Sequence, residues 1–261
     1  MSTAEFAPIL PISLLRRIQR IDMLGQYNLV LAHDVLSKGT DYKEVFDKHY
    51  KQHSDGATTT ILDNSVIELG ESLDYSDLAH AADVVHATYV ILPDVLWDRR
   101  ATVRASQIAA HEFEKAHVGF KFMGVPQGTT LEEYVDCANT LIDQCGVSAL
   151  AVPKRVRKVL RTRQQLVSSL ISLGVPIHLL GMTDDLTDDL YSASLPRVTG
   201  MDSAVPVWLG IQDRLLRVPP SSHLDHNGGR PKDFLDYGGP LTTTIMANIL
   251  IVRRWLQNGG V

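Results

Sequence analysis

Four short segments each carry a polar side chain able to do chemistry at or beside a turn: LDNS with Asp63, LPDV with Asp94, GVPQG with Gln127 and GMDS with Asp202. Crowded carboxylates repel, so either one of them is held protonated or the group faces a cation or a cationic transition state. Chemistry at a sugar carbon satisfies both conditions. Breaking a glycosidic bond builds oxocarbenium-like charge, which one carboxylate stabilises or traps covalently while another handles the proton. A carboxamide donates and accepts at once, and so can read the edge of a base. Taken singly, each aspartate would serve equally well as the cap of the helix after it, and Gln127, ahead of Gly128 and Thr129, as a plain turn residue.

Residues so far apart meet only if the elements before them are parallel neighbours. Seven apolar, β-branched segments read as strands: Tyr27–His33, Thr58–Asp63, Thr88–Pro93, Phe120–Val125, Ala149–Val152, Pro176–Leu180 and Arg197–Met201. Between them lie amphipathic stretches such as Arg100–Lys115, Leu131–Gln144 and Arg161–Leu173, the alternation of βαβ units. An open doubly wound sheet shares that alternation, but 261 residues is close to the usual length of one barrel. The expected fold is therefore α/β, a (β/α)8-type TIM barrel formed as a single domain by residues 1–261. Its eighth strand is not evident, because residues 218–239 are rich in Pro, Gly, Ser and Asp and read as a long loop. An irregular eighth strand is expected, and a last helix over Leu241–Gln257. In such barrels ligands bind at the C-terminal ends of the strands, where all four polar residues fall.

Composition narrows the function further. With 44% hydrophobic and 21% charged residues the chain can bury a sizeable core. A formal charge of −5 argues against a uniformly basic nucleic-acid coat. Yet Lys154–Arg163 (KRVRKVLRTR) holds six basic residues in ten directly after the fifth strand segment. Lys154, Arg155, Arg157 and Lys158 are candidate phosphate contacts, a solvated helix face being the plain alternative. Cys137 and Cys145 are too few for a disulfide framework or a cysteine zinc site, and suggest buried packing. His178, alternating with apolar neighbours in PIHLL, reads as a packed strand histidine. Trp97 and Trp208 suit either core packing or stacking on a base. His223, Asp225 and His226 are of metal-binding types but stand in a loop-like context, and no metal is assigned to them. No apolar run approaches the roughly 18 to 20 residues that span a bilayer, and the first segment lacks the order of a secretory signal, so a cytoplasmic protein without membrane partners is expected.

The motif series LDNSVIELG, LPDV, GVPQG, ALAVPK, HLLGMTDDL and GMDSAVPV resembles the tRNA-guanine transglycosylase superfamily over roughly residues 58 to 210. Its most specific part is HLLG followed about twenty residues later by GMDSAVP. The resemblance implies a barrel that exchanges guanine for a 7-deazaguanine without a cofactor. Asp202 would attack the ribose C1′, and Asp63 would be the general acid/base. Asp94 and Gln127 would recognise the base, with Gly181 and Ser65 in the same base-binding set. It also implies a homodimer, since members often dimerise. Departures shift the substrate: no cysteine follows Cys145, whereas tRNA-acting members carry a cysteine-rich zinc site. Asn64, Ser65 and Val66 replace a glycine-rich motif, and Pro153 replaces a glycine. The chain is more similar to compact, zinc-free phage-associated relatives that place 7-deazaguanines such as preQ0 into DNA. DNA and a free 7-deazaguanine base are thus the expected partners, ahead of tRNA. The residues alone leave open an N-glycosidase that uses water and an inactive barrel that binds without catalysis.

Overall fold

Eight parallel strands line up as β1 (Glu5–Pro8), β2 (Tyr27–Leu31), β3 (Thr59–Asp63), β4 (Tyr89–Ile91), β5 (Lys121–Gly124), β6 (Ala149–Pro153), β7 (Ile177–Leu180) and β8 (Val198–Ser203) in a computed structural model. It describes residues 4–21, 23–53, 58–183, 185–216 and 233–258. The hydrogen-bonded order runs β1-β8-β7-β6-β5-β4-β3-β2, so the sheet curls through every neighbour and leaves one seam, between β1 and β2, without a ladder. With helices covering its outer face this is a (β/α)8 TIM barrel, as the alternation of segments implied.

The strand that the sequence hid precedes the first strand segment that the pattern showed. Glu5–Pro8 is four residues long and ends in proline, so it shows no period-two pattern. It becomes a strand because β8 offers it an edge, with Ala7 opposite Asp202. Pro8 is tolerated at the end of an edge strand, where no ladder bond from its nitrogen is needed. Residues 217–232, including His223, Asp225 and His226, lie outside the described residues. The irregularity sits instead between β7 and β8, where the register jumps from Ile177 opposite Val198 to His178 opposite Gly200. One extra residue on β8 produces such a bulge and turns the strand locally.

Period-two alternation divides each strand between two cores. Tyr27, Leu29 and Leu31 of β2, with Ile61, Ile91 and Met123, fill the barrel interior. Ala149 and Ala151 of β6 face them as small partners. Leu150 and Val152 point outward into the larger cluster beneath the helices. The helices Arg99–Lys115 and Leu131–Cys145 begin at Asp98 and Thr130, whose side chains accept hydrogen bonds from Ala101 and Glu133. The basic segment is not one helix: a 3-10 turn covers Lys154–Lys158, and an α-helix runs over Arg163–Leu170. No helix among the described residues is long and apolar enough to cross a membrane.

Candidate active site

None of the three aspartates caps a helix. Asp94 is followed by Asp98 as the true cap, Asp63 ends β3, and Asp202 lies within β8. All three line one cavity of about 370 Å³ at the C-terminal mouth of the barrel, together with Gln127, Gly181, Asn64 and Glu68. Its remaining wall is largely apolar, from Leu29, Ile91, Val125 and Trp208 among others. The volume falls in the range of small-molecule sites.

Asp63 and Asp202 stand on opposite sides of the seam, on β3 and β8. The Asp63 carboxylate accepts the Ser65 amide at 2.7 Å, a local turn that gives Ser65 a positive φ of 63°. Burial pushes the Asp63 carboxyl well above its ordinary pKa, and the neighbouring charges of Glu68, Asp202 and Asp94 push the same way. Asp63 therefore tends to hold a proton where an ordinary carboxylate would not. Asp202 receives two donors on the same atom: Oδ1 lies 2.9 Å from the Gly181 amide and 2.9 Å from His178 Nε2. Among the described residues Oδ2 takes no hydrogen bond. Gly181 reaches that geometry with φ of 70°, a conformation that costs glycine little.

Asp94 forms the other end of the site. Asn64 Nδ2 donates to one of its oxygens at 2.8 Å and Gln127 Nε2 to the other at 2.7 Å. The Gln127 amide is oriented by the Trp97 backbone N–H, which donates to Oε1 at 3.1 Å from a residue whose φ is 67°. One Nε2 hydrogen of Gln127 remains for a ligand. Asn64 has no spare donor, because its amide also binds the Leu92 carbonyl at 2.9 Å. Burial raises the Asp94 pKa to about 6, and the two amide donors restrain the rise. The carboxylate and the oriented amide together present acceptors beside a donor.

Some expected site residues stand elsewhere. Ser65 does not line the cavity: its hydroxyl lies 2.9 Å from His33 Nδ1 and 3.1 Å from the His33 amide, so it holds the turn after β3. Lys154 and Arg155 do line the mouth. Arg157 turns away to Asp185 at 3.2 Å and Asp188 at 3.6 Å, while Lys158 is exposed outside the cavity lining. Residues three apart in a 3-10 turn face the same way, so what separates Arg157 and Lys158 from Lys154 and Arg155 is the rise of about 6 Å per turn and, for Arg157, the pull of its two acidic partners. Trp208 lines the cavity and is buried, while Trp97 acts through its backbone. Cys137 and Cys145 are buried free thiols, as their spacing suggested, and Cys137 Sγ accepts the Gln127 backbone N–H.

Four contributors escaped sequence reasoning. Asn64 and Glu68 sit in the segment after β3, where only Asp63 was marked as catalytic. Tyr27 Oη lies 2.8 Å from His178 Nδ1, tying a β2 residue to the histidine behind Asp202. Arg163, fully buried, donates to the carbonyls of Val152, Leu180 and Gly181 and pairs with Asp189 at 3.1 Å. Its guanidinium thereby ties together the ends of β6 and β7 and the turn that delivers the Gly181 amide. A buried arginine is rare enough that only its tertiary partners reveal it. Among the described residues no group of three or more His, Cys, Asp or Glu is arranged to hold a metal ion. No protein-family model and no curated protein matches the chain.

Proposed function

We propose that this protein is a base-exchanging transglycosylase that replaces guanine in DNA with a 7-deazaguanine. The observation that carries the reading is one cavity of about 370 Å³ holding two differently prepared carboxylates, Asp63 and Asp202, beside the Asp94–Gln127 pair. Asp202 Oδ2 attacks C1′ of a flipped nucleoside as the bond to the base breaks, and Asp63 gives its proton to a ring nitrogen of the departing base. The bonding pair leaves with the base, and a glycosyl ester on Asp202 remains. The incoming base returns a proton to Asp63 as its nitrogen attacks C1′, and the ester oxygen leaves as the Asp202 carboxylate. Two inversions give net retention.

Asp94 accepts from N1–H and the exocyclic amine, and Gln127 donates to O6. That edge is shared by guanine and 7-deazaguanines, which lets one site take both bases in turn. A duplex base cannot reach a cavity inside a barrel mouth unless it leaves the stack. Lys154 and Arg155 at the rim suit the flanking phosphates of the strand that delivers it. DNA is preferred to tRNA on the resemblance to the compact, zinc-free relatives.

Incubation with duplex DNA and labelled 7-deazaguanines, followed by digestion to nucleosides, tests the proposal. Labelled nucleoside is expected, with a denaturant-stable protein–DNA adduct that Asp202→Ala abolishes. Failure to incorporate any candidate base would defeat it. Release of free base without incorporation would instead identify an N-glycosidase, and base binding without either reaction a binding barrel.

A further inference from the structure

A histidine inside a barrel stands where branched apolar side chains usually fill the layers, and both of its ring nitrogens must find partners away from water. His178 finds them: Tyr27 Oη is 2.8 Å from Nδ1 and Asp202 Oδ1 is 2.9 Å from Nε2. All three residues are buried. They arrive from β2, β7 and β8, so no local motif joins them. The barrel is shaped to admit the contact. The bulge between β7 and β8 sets His178 opposite Gly200, and a Cβ at Gly200 would lie only 2.3 Å from the Tyr27 ring. Glycine two residues before Asp202 is thus the space in which the tyrosine lies.

We infer that Tyr27 and His178 form a hydrogen-bonded relay that fixes the orientation of the Asp202 carboxylate, with the Tyr27 hydroxyl holding His178 as the neutral Nε2–H tautomer. The inference rests on Asp202 being the nucleophile. A buried phenol beside a carboxylate keeps its proton: burial raises the Tyr27 pKa above its ordinary value, the Thr199 hydroxyl partly opposes this, and the charge of Asp202 adds to the rise. Its O–H donates to Nδ1, which leaves the imidazole proton on Nε2, directed at Asp202 Oδ1. With the Gly181 amide on the same oxygen, the carboxylate cannot rotate freely, and Oδ2 of this cavity-lining residue is left without a hydrogen bond among the described residues. A neutral imidazole orients the carboxylate without cancelling its charge, whereas an imidazolium would pair with it and weaken it as a nucleophile. Tyr27 and His178 are positioning residues, since they act on the substrate only through Asp202.

Two measurements on the full chain test this. Long-range proton–nitrogen NMR of the histidine rings should show His178 as Nε2–H in the wild type and a shifted tautomer ratio in Tyr27→Phe. Single-turnover formation of the protein–DNA adduct should fall on the order of 10- to 100-fold in Tyr27→Phe and His178→Leu. Affinity for free 7-deazaguanine should stay unchanged in both. His178→Gln, whose carboxamide can still donate to Asp202, should recover part of the rate, an outcome that a merely structural histidine does not give. An Nδ1–H or doubly protonated ring in the wild type overturns the relay, and so does wild-type adduct formation in His178→Leu. Absence of any adduct in the wild type overturns the transglycosylase reading instead, and the tautomer then decides the relay by itself.

Discussion

At the scale of single residues the site works by giving chemically identical groups different surroundings. Asp63 is crowded by burial and by Glu68, Asp202 and Asp94, so its proton is retained. Asp63→Asn keeps the oxygen that accepts the Ser65 amide but has no proton to transfer. In the proposed reaction exchange should be lost, while the fold should gain roughly 0.5–2 kcal/mol, as when a group held in unfavourable surroundings is removed. The folded pKa of Asp63 lies above the unfolded one, so the wild type loses stability as pH rises between the two. Asparagine does not titrate, and its advantage in urea unfolding should therefore grow across that window; an Asp63→Asn protein less stable than wild type at pH 8 would contradict the crowding. Asp94 acts at the opposite limb. Its pKa is raised to about 6, and in the proposed reaction its ionised form accepts from the base, so kcat/KM should fall below about pH 6, tenfold per unit. A profile flat down to pH 4.5 would remove Asp94 from base recognition.

At the scale of elements, the ends of strands and the turns after them are held by buried polar pairs rather than by the ladder alone. Arg163 reaches from its helix to three carbonyls at the ends of β6 and β7, and Asp189 is its counter-charge. Burial pulls the Arg163 pKa down, and Asp189 draws it back. Removing one partner leaves a buried charge without compensation, which costs far more than the pair contributes net. Arg163→Met should thus destabilise the fold by about 3–5 kcal/mol in urea unfolding. Loss of the Gly181 turn should also slow adduct formation in whatever fraction remains folded. A double replacement by apolar residues, Arg163→Met with Asp189→Leu, should recover much of the stability; if it does not, the carbonyl contacts of Arg163 and the Thr183 donors held by Asp189 outweigh the ion pair.

At the scale of the whole molecule, the barrel closes by packing at one place instead of by hydrogen bonds. β1 and β2 lie side by side at the seam without a ladder, and Asp63 and Asp202 stand on the strands just beyond it. Backbone amides of β2 that face β1 lack strand partners, whereas those facing β3 are paired from Tyr27 through Leu31. Local opening starts where such bonds are missing. Hydrogen exchange resolved by residue should show the β1-facing amides of β2 exchanging faster than the β3-facing ones. Equal protection on both sides would mean that the seam is as closed as the rest of the barrel.

The sequence by itself determined the alternation of strands and helices, the parallel fold that follows from it and the carboxylates at the strand ends. Those depend on local periodicity and on which residues stand at a turn, and both are written in order along the chain. It also marked Asp63, Asp94, Gln127 and Asp202 as a set, which share one cavity. Only the tertiary structure decided that Glu5–Pro8 is a strand, since four residues ending in proline form one solely against the edge of β8. The same holds for the turning of Ser65 to His33, the parting of Arg157 from Lys154, the burial of Arg163 and the meeting of Tyr27 with His178. Each depends on which strands stand across the barrel and in what register. Side chains from β2, β7 and β8 share a neighbourhood only after the sheet has curled, and pairing at that distance leaves no periodic trace in the chain.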